Sequence, residues 1–123
     1  MTLGTYDAKP VGSQMVETTT VTIANGASLS GAVDLKGRKL VAIIMPATWT
    51  AASLTFQGSV NDTDYFNVYD GATERSATVA ASYYSSLDIG DWIGFRYIKI
   101  RSGTAASAVN QGGARVLTLV VQP

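Results

Sequence analysis

Residues 16–35 read Val-Glu-Thr-Thr-Thr-Val-Thr-Ile-Ala-Asn-Gly-Ala-Ser-Leu-Ser-Gly-Ala-Val-Asp-Leu, and this stretch decides the fold class. Its first part alternates, with Thr19, Val21 and Ile23 on one face of an extended chain and three threonines on the other. Threonine is β-branched and suits the solvated face of a strand. An Asn-Gly turn signal follows at 25–26, and a second alternating segment runs to residue 35. The stretch therefore predicts strands separated by a turn.

The rest of the chain repeats this pattern, and amphipathic helix periodicity is nearly absent. Further strands are predicted at 40–45, 54–60, 65–69, 77–87 (one strand or two), 96–102 and 114–121. Helical crossovers for parallel pairing are missing. We therefore predict an all-β fold, an antiparallel jelly-roll-like β-sandwich of seven to nine strands.

Residues 1–15 lie outside the strand pattern and contain glycines and a proline without periodicity. One interpretation is an extended N-terminal arm that contacts a neighbouring subunit, with Tyr6, Pro10 and Met15 as candidate contact residues. The other interpretation is a frayed terminus. A length of 123 residues fits one domain. We therefore predict a single β-sandwich domain at 16–123 behind this arm.

The composition excludes several kinds of chemistry, because the chain has no His and no Cys. Without cysteine the chain cannot form a disulfide framework or a thiolate metal site, and without histidine it lacks the commonest general base. We expect no enzyme activity, no cofactor and no catalytic residue. Charged residues make up 15% of the chain, against about 25% in average domains. This shortage indicates a surface that largely faces other protein.

The sequence shows no secretory signal peptide and no segment predicted to insert in a membrane. The longest nearly apolar run, 40–47, is far below the ~20 residues that span a bilayer. We therefore expect synthesis in the cytoplasm.

The carboxylates fall in turn-like sequence, where aspartate is expected for structural reasons. Asn61, Asp62 and Asp64 place oxygen atoms as a Ca²⁺ loop would, although the spacing departs from the EF-hand pattern. The alternative is a polar hairpin connection, and we predict no metal site.

Arg96, Lys99 and Arg101 form the densest positive charge, around an aromatic residue. Such a cluster can bind single-stranded nucleic acid. The net charge of zero favours instead a strand face paired with carboxylates such as Asp88 and Asp91. No nucleic-acid partner is expected.

Aromatic side chains near the predicted loops are the candidates for glycan contact. Trp49, Trp92, Tyr83 and Tyr84 could form a stacking platform for sugar rings. The two tryptophans could equally close the ends of the sandwich, because large aromatic side chains usually bury most of their area.

Five stretches in order carry a family resemblance: 28–35, 46–57, 65–70, 87–88 and 96–103. Over residues 17–121 the chain resembles small virion accessory proteins of tailed bacteriophages and gene transfer agents. Residues 54–69 and 96–100 also resemble discoidin-like jelly rolls, which often bind glycans or lipid headgroups through end loops.

The first resemblance implies a non-enzymatic structural protein of the virion, of the capsid decoration or head-fibre-base type. Its expected partners are further copies of itself in a homo-oligomer, and the major capsid protein or another virion protein. Two alternatives stay open, a module that recognises a carbohydrate of the host surface and a tail-associated structural protein.

Overall fold

The computed structural model describes residues 16–123, and these form an all-β, antiparallel sandwich as predicted. A short 3-10 helix spans Ile89–Trp92. The eleven strands are β1 (Glu17–Ile23), β2 (Val33–Asp34), β3 (Lys39–Ile44), β4 (Leu54–Ser59), β5 (Phe66–Asn67), β6 (Tyr69–Asp70), β7 (Thr73–Glu74), β8 (Ser76–Ala77), β9 (Tyr84–Ser86), β10 (Tyr97–Ser102) and β11 (Arg115–Gln122).

The strand order is that of a jelly roll. One sheet has the order β1-β11-β3-β9, and the other has the order β2-β10-β4-β5, with β8 also paired to β4. The pairing is nested in the sequence: β1 pairs with β11, β2 with β10, and β3 with β9, so each pair lies between the members of the one before it. From β1 to β4, and again from β8 to β11, successive strands alternate between the two sheets, as in a jelly roll. The separate hairpin of β6 and β7 stands outside both sheets.

The alternation of side chains follows the sequence prediction closely in the central strands. In β10, Ile98 and Ile100 are fully buried between the sheets, while Tyr97 and Lys99 point to the outer face and are half-buried. Neighbouring β4 directs Leu54 and Phe56 into the same core. Successive residues of a strand point to opposite faces, so one apolar set supplies the core.

The strand count exceeds the predicted seven to nine because several segments are short and interrupted. The predicted strand at 65–69 divides into β5 and β6 at Val68, and the β6–β7 hairpin has no apolar alternation that would predict it. The predicted strand at 27–35 retains only Val33 and Asp34, with Leu29 bridged singly to Arg101. Its two serines and its glycine leave it an irregular segment beside β10.

Loops at one end of the sandwich are joined by the side chain of Gln111, which is 1% exposed. Its amide nitrogen donates to the Thr50 carbonyl at 3.0 Å and to the Ser102 hydroxyl at 2.7 Å. Its amide oxygen accepts from the Thr50 N–H at 2.8 Å and from Arg115 Nε at 3.1 Å. A buried amide with all these partners fixes the connections 45–53 and 103–114 against each other.

The predicted arm, with Tyr6, Pro10 and Met15, lies outside the described residues. Within 16–123, no helix is long and apolar enough to cross a membrane.

Replacing Gln111 with Met tests the importance of this buried amide. We expect the free energy of unfolding to fall by about 2–4 kcal/mol, because the Thr50 backbone groups lose their buried partner. Urea unfolding followed by tryptophan fluorescence measures the change. Gln122→Met is the control, since Gln122 is half-buried at the end of β11 and makes none of these contacts. Equal losses in both variants would contradict the role given to Gln111.

Candidate functional site

An apolar groove of about 300 Å³ lies at the free edge of the sheet that contains β4 and β5. We call it the edge groove. None of its lining residues carries a charge; they are Gly58, Ser59, Val60, Phe66, Asn67, Val68, Tyr69, Gly94 and Phe95. Its volume lies at the lower end of the range for ligand pockets, roughly 300–1,000 Å³. The edge groove is thus suited to apolar side chains and not to an ion.

The floor of the edge groove is built on the core. A Cβ at Gly58 would lie 2.6 Å from Phe95 Cε1, so the absence of a side chain lets the Phe95 ring pack against β4. Phe95 lies against Trp92, with 5.1 Å between ring centroids, and Trp92 meets Phe56 edge-on at 4.8 Å. Through these aromatic contacts, the floor of the groove packs directly against the core.

The rim of the edge groove exposes large apolar side chains. Val60 is 81% exposed, Phe66 69% and Tyr69 53%. Ile93, which precedes the lining residue Gly94, is 68% exposed. Phe66 is on the face that points toward the core, opposite Gly58, but β5 is the edge strand and no further described strand covers it. Contiguous exposed apolar side chains of this kind mark interaction surfaces.

The outer face of the same sheet holds a buried ion pair. The guanidinium of Arg101 is 3.1 Å from the Glu74 carboxylate and 2.6 Å from Asn67 Oδ1. Glu74 also accepts from the N–H of Ala105. Arg101 therefore fastens the β6–β7 hairpin and the loop after β10 to the sheet, and it is not free to meet a phosphate.

The other cations of the 96–101 cluster also have partners within the chain. Arg96 makes a bidentate pair with Asp34, which holds the pKa of that carboxyl below its usual value. Lys99 Nζ lies 4.3 Å from the ring centroid of Tyr65, a cation–π distance. The predicted pairing with carboxylates is present, but the acids differ from those expected. Asp91 pairs with Arg75, and Asp88 caps the 3-10 helix.

The turn after β4 uses its oxygen atoms internally. Asn61 Oδ1 accepts from the N–H groups of Thr63 and Asp64, and Asp62 accepts from the hydroxyl of Tyr65. These contacts are those of the polar connection that the sequence offered as the alternative to a Ca²⁺ loop. Among residues 16–123, no group of three or more acidic side chains is arranged to hold a metal ion.

The four candidate glycan contacts fall in different places. Trp92 is 1% exposed and packed between Phe56 and Phe95, so the expectation of a glycan contact is wrong for this residue. Trp49 is half-buried, and its Nε1 donates to the Ala52 carbonyl at 3.1 Å.

Tyr83 and Tyr84 are 53% and 64% exposed at the start of β9. The strand directions put them at the same end of the sandwich as Trp49, whereas Trp92 enters the core from the connection at the other end. Glycan contact at Trp49, Tyr83 and Tyr84 stays a prediction.

The sequence did not indicate the edge groove. The alternation at 65–69 is typical of a strand with one buried face, which would place Phe66 inside. Its exposure depends on β5 being an edge strand, and strand order follows from long-range pairing. The available signal was the density of large apolar residues beside the turns at 60–65 and 93–94.

The environment of Tyr65 gives a pH-dependent test. Burial, followed by the hydrogen bond to Asp62, raises its pKa from 10.0 to about 12. The neutral phenol is therefore favoured in the folded state, and its contribution to stability is complete below pH 10 and lost as the pH rises toward 12. We expect Tyr65→Phe to remove the highest step of the phenolate absorbance titration. In the control Tyr84→Phe that step should remain, and its disappearance there would contradict the assignment.

Comparison with known proteins returned few similarities. No family model matches the chain, and no curated protein matches it. Among solved structures, the crystal structure of SPBc2 prophage-derived protein YomS is similar, with 14% sequence identity and a TM-score of 0.49. The similarity covers 88% of this chain and 96% of that one.

Proposed function

We propose that this chain is a non-enzymatic structural protein of a bacteriophage particle, which docks on an apolar segment of another particle protein through the edge groove. The observation that carries the proposal is the rim of Val60, Phe66, Tyr69 and Ile93 around an uncharged cavity. A monomeric protein in water gains nothing from exposing these side chains together. Burial against a partner recovers their hydrophobic free energy, about 25 cal/mol per Å².

The chemistry of the edge groove favours one kind of occupant. A charged partner would lose hydration there without meeting an opposite charge, because the lining is uncharged. The volume of about 300 Å³ admits side chains and not a folded surface. The adjacent β5 is an edge strand of two residues, and an extended segment lying along it could hydrogen bond to its backbone. An apolar, extended segment of the partner fits all three features.

The disposition of charged groups supports a structural role. Among residues 16–123, five arginine–carboxylate pairs join loops and strands: Arg38–Glu17, Arg75–Asp70, Arg75–Asp91, Arg96–Asp34 and Arg101–Glu74. Side chains with partners of this kind contribute to rigidity and specificity of the fold. A particle protein requires rigidity, and none of these pairs lines the edge groove.

The phage particle enters the proposal through the ordered sequence resemblance over residues 17–121. Within a particle, we favour capsid decoration or the base of a head fibre, because a small rigid sandwich with an apolar docking groove suits attachment to a larger shell. A tail-associated position and a module for host glycans are the alternatives for the same chain.

The experiment is to purify particles from the phage or host that encodes this chain and to quantify their proteins by mass spectrometry. We expect the chain in a fixed, multiple stoichiometry, with density for it on the particle in a reconstruction. Particles that lack the chain entirely would contradict the proposed function.

Replacing Phe66 with Asp tests the edge groove itself. Phe66 is 69% exposed, so the variant should fold normally, while a charge on the rim should reduce its incorporation into particles by at least about tenfold. Incorporation is measured by competition with the unmodified chain during particle assembly. Val116→Asp is the matched control, because Val116 is also an exposed apolar residue on a strand, 50% exposed, but lies away from the groove. Equal incorporation of both variants would contradict docking through the groove.

A further inference from the structure

The strand β1 lies at the edge of its sheet and is longer than the other edge strands. It runs for seven residues and pairs along its whole length with β11. In the described part of the chain, no strand pairs with its other side. The remaining sheet edges are short, since β9 has three residues and β2 and β5 have two each. A short edge strand offers few backbone groups for further pairing, whereas a long one offers many.

The sequence of β1 also lacks the usual protection. Glu-Thr-Thr-Thr-Val-Thr-Ile contains no lysine, proline or glycine, and its pairing with β11 shows no bulge. Its one charge, on Glu17, is paired with Arg38 at 3.0 Å. Natural proteins guard exposed edges with inward charges, prolines or bulges. The alternate N–H and C=O groups of β1 that face away from β11 are therefore a template for another strand.

We propose that β1 pairs antiparallel with β1 of a second copy of this chain, about a two-fold axis at Thr20, so that two four-stranded sheets become one sheet of eight strands. Val21 and Ile23 are buried and must stay on the inner face, which fixes which residues can oppose each other. Overlap of all seven residues then puts Thr20 opposite itself and Thr18 opposite Thr22 of the second copy.

This register makes the edge complementary to itself. The outward threonines 18, 20 and 22 are exposed, and they meet one another in cross-strand pairs, which stabilise antiparallel sheets. Glu17 falls opposite Ile23 of the second copy, so no like charges meet. The zero net charge of the chain adds no long-range repulsion between copies. Isologous pairing about a two-fold axis is the commonest symmetry of homo-oligomers.

The pairing leaves the edge groove accessible. β1 lies beside the end of β2, because Thr18, Thr19 and Leu35 line one cavity of about 220 Å³ between them. The edge groove is at β5, the opposite end of the strand order in the other sheet. A dimer through β1 would therefore present two edge grooves. The inference does not depend on what those grooves bind.

Single cysteine variants test the register, because the chain has no cysteine of its own. In the full chain under mild oxidation, Thr20→Cys should form a disulfide-linked dimer, since directly opposed Cβ atoms are about 4.5–5.5 Å apart. Thr18→Cys alone should not, because its two copies would be separated by roughly 13 Å along the strand. A mixture of Thr18→Cys and Thr22→Cys chains should cross-link to each other.

Val116→Cys is the control for random collision. Val116 is exposed on the same outer face, but on β11, an interior strand. Cross-linking of Val116→Cys as readily as Thr20→Cys would overturn the proposal, as would the absence of cross-links at all three threonines.

Sedimentation of the full chain provides a measurement without cross-linking. We expect a dimer that dissociates on dilution, and Thr20→Lys should weaken the dimer at least tenfold by placing two lysines opposite each other. Val116→Lys adds the same charge to the same face and should leave the dimer intact. A full chain that is monomeric at about 100 µM, or a Thr20→Lys variant as dimeric as the parent chain, would overturn the proposal. If the chain is monomeric but Thr20→Lys alone prevents incorporation into particles, another particle protein occupies β1, and the second-copy proposal fails while the proposed function stands.

Discussion

The shape of the edge groove depends on one constraint, the close contact of the Phe95 ring with the backbone of Gly58. It brings one aromatic ring over β4, and Trp92 links that ring to Phe56 in the core. Any side chain at position 58 would have to displace Phe95 and disturb the floor of the edge groove. The edge groove is therefore continuous with the hydrophobic core and shares its packing.

The chain has few charged residues, and many of those described are paired with one another. The buried Arg101–Glu74 pair holds a hairpin and a loop against one sheet. Exposed pairs such as Arg96–Asp34 connect the ends of neighbouring strands. Few charges remain to keep separate copies apart, which is consistent with surfaces that meet protein. The uncharged lining of the groove and the threonine edge of β1 are two examples, and their chemistry differs. One is apolar and concave, whereas the other offers backbone hydrogen bonds.

Much of the fold could be predicted from alternation alone. The predicted strands at 16–23, 40–45, 54–60 and 96–102 correspond to β1, β3, β4 and β10 within a residue or two. The extent of the strand at 27–35 could not be predicted in this way. Its two serines and its glycine give no strong local preference for a strand, so its pairing depends on contacts with distant parts of the chain. The β6–β7 hairpin depends on the Arg101–Glu74 pair, which joins residues far apart in the sequence.

The candidate site was less accessible to sequence reasoning for the same reason. Trp92 follows a turn-like segment, where the sequence favours an end plug over a surface contact without excluding either, and its packing against Phe56 decides between them. Phe66 has the alternation of a core residue but is exposed, because β5 is an edge strand. Strand order in a sheet is a property of the whole chain, and a local pattern does not contain it.

The nested pairing of the jelly roll also has a consequence for the time course of folding. Glu17 in β1 pairs with Val121 in β11, so the sheet that contains both cannot be completed until the ribosome has made nearly all of β11. Until then β3 can pair only with β9, since β11 lies between β1 and β3. Topologies dominated by such distant contacts fold slowly, in roughly milliseconds to seconds. The emerging chain thus carries unpaired strands during synthesis. Its first strand is rich in threonine and has little apolar surface before Val21, so this strand can remain solvated until its partner has been made.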